Sequence, residues 1–241
     1  MGQGEHMERS KAFATALASV VLGGGALALA GVALASATPH QSAKICQPIV
    51  GEAGHCSLTI DSFPDSLEGM HGKGGGPHPD WVSYSNDNLV AKAGSVITMT
   101  IRQYDSGGSL NNKAFFGRVW GTMGGTAQYM IPTEKGDSTP VQTLSSVDPT
   151  NIGHTFTLRG VPGNGSPLFV SVPLPASPST NSETVGDATY GSPVVVTFSF
   201  KVGTPGVYQW NCEFPCGGSR EGQFGYAMSS WGYMSGTLTV K

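Results

Sequence analysis

Two cysteines four positions apart, Cys212 and Cys216, lie near the C-terminus in the stretch GVYQWNCEFPCGGSREGQFG, Gly206 to Gly225. They follow a strand-like run and precede a glycine-rich loop. Two thiolates at that spacing can hold a soft metal ion, and in an oxidising compartment they can instead pair as a disulfide. Upstream, the run from Ile152 to Leu158 alternates, so that His154, Phe156 and Leu158 share one face of a strand and Thr155 and Thr157 the other. A single histidine on an apolar face is by itself an ordinary hydrogen-bonded core residue. Its meaning depends on what the fold brings beside it.

The compartment is set at the N-terminus. From Ala12 to Ala43 there is no Asp, Glu, Lys or Arg, and Arg9 and Lys11 stand just before the run, the arrangement of an exported protein's leader. Ala35-Ser36-Ala37 offers a cleavage site that would release a soluble chain beginning near Thr38. Left uncut, the run is long enough to anchor in a bilayer, which needs ~20 residues. Residues 1–37 are therefore read as one apolar helix, signal peptide or membrane anchor, and the rest as extracytoplasmic, in a periplasm or at the cell surface. In that setting Cys46 and Cys56 are most simply a disulfide closing a short polar loop, worth ~2–3 kcal/mol. A metal site of Cys46, Cys56 and His55 is disfavoured, because adjacent positions on a strand point to opposite faces.

The elements that must position these residues are strands. The 241 residues include 35 Gly and 16 Pro, with 12% charged and 39% hydrophobic residues, a balance that fits a loop-rich all-β protein and excludes disorder. A net charge of −3 without a basic cluster excludes nucleic acid as a partner, and no G-x-S-x-G motif supports a hydrolase. Strands are expected in NLVAKAGSVITMTIRQYD, with Val96 to Ile101 buried on both faces, in IGHTFTL, in PVVVTFSF, in VYQWNC and in the closing GTLTV. Together they predict an antiparallel β-sandwich or barrel. Residues 38–87 read as an N-terminal extension with the disulfide and a glycine-rich loop whose His71 and His78 are solvated. Residues 88–241 read as the main domain, with a polar insert at about 106–150 and a Pro/Gly/Ser-rich segment from Val161 to Pro193. The insert's Phe115, Phe116 and Trp120 are expected either to pack on the core in a hairpin or to form an exposed docking surface.

In order, these features resemble the cupredoxin domain of cytochrome c oxidase subunit II. The resemblance is carried by G-H-T-F from Gly153 to Phe156, V-x-F-x-F from Val196 to Phe200 and P-G-x-Y-x-x-x-C from Pro205 to Cys212. It continues in C-x-x-x-C-G from Cys212 to Gly217 and M-x-G-T-L-T-V from Met234 to Val240, and it covers Asn88 to Lys241 apart from the insert. It implies a cupredoxin-like Greek-key sandwich holding a dinuclear copper centre, which takes electrons from a cytochrome c or a small copper protein and passes them to haem. On this pattern His154 matches the upstream imidazole ligand, Cys212 and Cys216 the bridging thiolates, and Phe214 the residue whose backbone carbonyl is a weak ligand. Soft, polarizable thiolates can bridge two copper ions while imidazole caps them and a thioether tunes the potential.

The pattern then departs from the family. Arg220 falls on the second histidine and Gln223 on the methionine, and no histidine follows residue 154. A guanidinium stays protonated and has no lone pair to give. The loop between Cys216 and the last strand is longer than the family's, so Met234 falls where its M-x-G-T stands, with Met228 nearby; His71 or His78 could supply a further imidazole. The resemblance thus implies an altered copper site at His154, Cys212, Cys216 and Met234, a respiratory oxidase complex or its electron donor as partner, and contact with the membrane through the uncleaved leader. Two alternatives stand beside it. One is a metal-free structural or accessory subunit with Cys212 and Cys216 paired as a disulfide, and the other is a Cu(I) carrier.

Overall fold

Runs rich in Val, Ile, Thr and Phe, punctuated by Pro and Gly, form an all-β, two-sheet architecture. The computed structural model describes residues 41–71, 75–107, 117–160, 167–216, 225–228 and 230–241, all within one unit, Pro39–Lys241. The apolar leader, Phe115, Phe116, Arg220 and Gln223 lie outside the described residues. Among the described residues no helix is long and apolar enough to cross a membrane.

The first sheet runs in spatial order β1 (Lys44–Ile45), β5 (Asn88–Ala91), β15 (Ser235–Val240), β14 (Gly206–Asn211), β9 (Ile152–Gly160) and β10 (Leu168–Pro175). The second runs β2 (Gln47–Pro48), β3 (His55–Phe63), β6 (Val96–Gln103), β13 (Val194–Lys201), β7 (Ala127–Met130) and β8 (Gln142–Leu144), with β4 (Ser83–Tyr84) beside β3. A separate ribbon pairs β11 (Glu183–Val185) with β12 (Ala188–Tyr190). Inward side chains of both sheets share one core, where Phe156 of β9 meets Phe198 of β13 with ring centroids 6.0 Å apart. Tyr84 stands edge-on to Trp210 at 5.1 Å, which ties β4 to the middle of the first sheet. The pairing is mixed and not wholly antiparallel: β1 with β5, β5 with β15, and β3 with β6 run parallel. Parallel neighbours cannot be joined by a tight hairpin, so the chain crosses between sheets, as it does from β5 to β6 through Lys92 to Ser95.

Some sequence expectations change. β6 is buried on one face, not two: Ile97, Met99 and Ile101 are fully buried, while Thr98 and Thr100 are half-buried and meet Ser199 and Thr197 of β13 through hydroxyl pairs at 3.0 and 3.2 Å. The described residues of the 38–87 segment are integral to the sandwich, because β3 lies between β2 and β6 and β1 edges the other sheet. The insert likewise supplies β7 and β8, and its Trp120 bridges to Ser171 of β10, 38% exposed and stacked under the Arg118 guanidinium. The Pro-rich segment after Val161 contains β10, whose Val170, Val172 and Leu174 are fully buried. Pro173 and Pro175 are tolerated there because β10 ends the sheet's strand order, where missing amide donors cost least.

Candidate metal centre

Strand register brings the site together at one end of the first sheet. Trp210 of β14 pairs with Leu158 of β9, and side chains two positions apart on a strand share a face. Cys212 therefore continues the inward face of Trp210, and His154 continues that of Phe156 and Leu158. On the other side Trp210 pairs with Gly236 of β15, and the backbone bond from the Cys212 amide to the Met234 carbonyl, at 2.9 Å, extends that register by two residues. Directly opposed residues of an antiparallel pair lie on the same face, so Met234 sits across from Cys212 on its core side. It is fully buried.

Beyond β14 the chain turns through Glu213, Phe214 and Pro215 and returns Cys216 to Cys212. The two Sγ atoms are 2.7 Å apart and unbonded, so both thiols are free and the alternative disulfide between them is not formed. The Phe214 carbonyl oxygen lies 3.1 Å from Cys212 Sγ and 3.0 Å from Cys216 Sγ. The Thr155 amide donates to Cys212 Sγ at 3.4 Å, and the Thr155 hydroxyl accepts the Glu213 amide at 2.8 Å, so β9 fixes the start of the turn. His154 Nδ1 faces Cys212 Sγ at 3.9 Å. Its Nε2 is 2.8 Å from a carboxylate oxygen of Asp105, in the loop that leaves β6.

His154, Cys212 and Cys216, all buried, are the described histidine, cysteine and acidic residues whose ligand atoms gather within 4.8 Å of one another. Met228 is half-buried and packs against the core. His71 and His78 do not join the group. His71 packs on the Tyr233 ring at 4.4 Å, and His78 stacks on Trp81 at 3.8 Å. At the other pair of cysteines, Cys46 and Cys56 form the expected disulfide, with Cα atoms 5.4 Å apart.

Burial alone would raise both thiols. For Cys212 it is outweighed by the hydrogen bond from Cys216, by His154 and by the Thr155 amide, which together hold its pKa below the ordinary thiol value. Cys216 is raised, by burial first and then by the negative sulfur of Cys212, so the pair shares one proton. Burial pushes His154 down, yet the Asp105 carboxylate and Cys212 together lift it to about 9. Burial likewise opposes ionised Asp105, and its hydrogen bond to His154 still holds it below the usual carboxylate value. Tyr84 is raised well above its ordinary value by burial and then by the charges of the two cysteines, and its hydroxyl donates to the Thr155 carbonyl at 3.0 Å. Two sulfurs, an imidazole nitrogen and a carbonyl oxygen form a soft donor set that fits copper, with the thiolate character already developed in the folded protein.

Asp105 was not legible in the sequence. It precedes His154 by 49 positions, and no ligand spacing marks it; the one local signal is an acidic residue two before a glycine at a strand end, the mark of an Asx turn.

Scanned against protein-family models the sequence matches none, and it matches none of the curated proteins. Among solved structures, one of auracyanin B aligns with 81% of this chain and 96% of its own, at 15% identity and a TM-score of 0.30. A crystal structure of a multicopper oxidase aligns with 81% of this chain at 9% identity and a TM-score of 0.27, and this chain spans 46% of its length. Likeness at this level says nothing of what this chain binds, and the chemistry rests on the residues themselves.

Proposed function

We propose that this chain is an extracytoplasmic copper protein of cupredoxin type that carries electrons, built on the pattern of cytochrome c oxidase subunit II with an altered ligand set. The observation that carries the reading is the convergence of His154 Nδ1 and the free thiols of Cys212 and Cys216 in one buried cluster. Copper bound there supplies a one-electron couple shared with thiolate sulfur. The chain's part is to hold donors fixed: Cys212 by the Thr155 amide, the turn by the Thr155 hydroxyl, and the Phe214 carbonyl between the two sulfurs. Burial of all three side chains keeps water away from the sulfurs. Met234 is the thioether proposed to tune the centre, a role supported by its burial and by its register position opposite Cys212. A respiratory oxidase complex, a cytochrome c or a small copper protein is the partner class that fits this role, with the leader delivering the domain to the outer face of a membrane.

The test is reconstitution of the full chain with copper, followed by its visible spectrum and a count of free thiols. Intense thiolate-to-copper absorption, lost in the Cys212→Ser and Cys216→Ser variants, is the expected outcome. A colourless, copper-free protein whose Cys212 and Cys216 are found disulfide-linked by mass spectrometry overturns the reading in favour of a structural subunit.

A further inference from the structure

The loop after β6 is built more tightly than a connection between strands requires, and its construction converges on His154. Asp105 uses both carboxylate oxygens: one accepts the Gly107 amide at 2.9 Å, and the other accepts the His154 Nε2 proton at 2.8 Å. Its backbone is pinned as well, since its carbonyl accepts the Ser177 amide at 2.9 Å and the side-chain amide of Gln103 at 3.4 Å. Gln103 is itself fully buried. The turn closes at Gly107, where φ is +66° and an added Cβ would stand 2.9 Å from the Cα of Gly153, the residue before His154. Gly153 is equally constrained, because a Cβ there would meet Gln103 Nε2 at 2.7 Å. Two glycines thus let the loop press against the start of β9, and the result is a carboxylate held at both oxygens, one of them aimed at one nitrogen of one imidazole.

An imidazole has two nitrogens, and a hydrogen bond from one determines what the other offers. We infer that Asp105 is a positioning residue that holds the His154 ring by its Nε2 proton, so that Nδ1, which faces Cys212, is the nitrogen that gives up its proton and offers its lone pair to a bound metal. It fixes which nitrogen ligates and, as a carboxylate behind the ring, strengthens that nitrogen as a donor. The inference rests on the copper reading and deepens it, because it assigns the ligating atom and adds a residue outside the set of donors. Asp105 makes no hydrogen bond to either sulfur: its carboxylate is bonded to the His154 ring and the Gly107 amide, and only its charge reaches Cys216.

The experiment compares the full-length wild type with Asp105→Asn and Asp105→Glu, each loaded with copper. Asparagine keeps the shape and the acceptor for the Gly107 amide, so the fold is retained, and thermal unfolding of the metal-free chains checks this. Copper affinity is read by competition with a chelator, and the ligating nitrogen by pulsed electron paramagnetic resonance. In Asp105→Asn affinity falls by about 10–100-fold, the usual cost of losing such an outer partner. The midpoint potential rises, because a negative charge that favours the oxidised site is gone, and the nitrogen couplings of the imidazole change. Asp105→Glu recovers part of the affinity and moves the potential back. If the wild type takes up no copper, the copper reading falls and this inference with it. If the wild type binds copper while a folded Asp105→Asn shows the same affinity, potential and nitrogen couplings, the inference alone is overturned.

Discussion

His154 and Cys216 carry protons that a bound metal must displace. The imidazole, held up at about 9 by Asp105 and Cys212, is protonated at neutral pH, and Cys216 sits above the ordinary thiol value because it is buried beside a negative sulfur. Metal ligation needs the lone pair on Nδ1 and on both sulfurs, so uptake must release these protons. The sign follows directly: lowering the pH keeps the ligands protonated and weakens binding, and raising it toward 9 strengthens binding until His154 has lost its proton unaided. Copper addition to the full chain in a weakly buffered solution near pH 7 is expected to liberate about two protons per cluster. A pH indicator dye measures this. Uptake with no proton release would mean that the thiols and imidazole are not the ligands.

At the scale of strands, the site depends on β14 and β15 keeping their register, and Gly236 is where that register is most exposed to insult. A Cβ at Gly236 would stand 2.4 Å from the Asp87 carbonyl oxygen and 2.5 Å from Trp210 Cζ2, so the indole fills the space that a side chain would need. Gly236→Ala is expected to destabilise the chain by about 1–3 kcal/mol, the usual cost of overpacking. Urea unfolding measures it, with Gly203→Ala as control, since nothing lies within 4 Å of an added Cβ there. Equal midpoints for the two variants would show that β14 and β15 yield without cost. These same strands were legible in the sequence: β9 and β15 follow period-two alternation, β13 and β14 are apolar runs bounded by Pro and Gly, and the order of His154, Cys212 and Met234 at their ends came from the family resemblance, not from spacing. β3 and β10 escaped notice for local reasons. The Cys56, Leu58 and Ile60 alternation of β3 runs into a glycine-rich tract, and β10 carries two prolines that its edge position excuses. Asp105 escaped for a different reason, since its role arises only when a loop of one sheet folds against a strand of the other, and such a contact leaves no period in a sequence.

The whole sandwich has to hold its two sheets together with a chain that is rich in loops, and the disulfide sits where that demand is greatest. β1 belongs to the first sheet and β2 to the second, so the chain changes sheets at Cys46, whose amide still donates to the Val90 carbonyl of β5 at 2.8 Å. Its partner Cys56 lies in β3 of the second sheet, paired beside Ile97 of β6. The bond therefore clamps the first sheet to the second at a crossing made of two-residue strands, which have few ladder hydrogen bonds of their own. A loop closed over a separation of 10 residues restricts the unfolded chain by ~2–3 kcal/mol. Val90 pairs with Thr239, toward the end of β15 remote from Met234, so the clamp and the metal cluster share no partner and their effects should add. Replacing both cysteines, Cys46→Ser with Cys56→Ser, is accordingly expected to lower stability by that amount while leaving the thiolate-to-copper spectrum unchanged. Urea titration of the copper-loaded and metal-free forms separates the two quantities. Loss of the copper bands in a variant that still unfolds cooperatively would show that the sheet crossing at Cys46 and the cluster at Cys212 are mechanically one structure, with the clamp setting the geometry of the site as well as the stability of the fold.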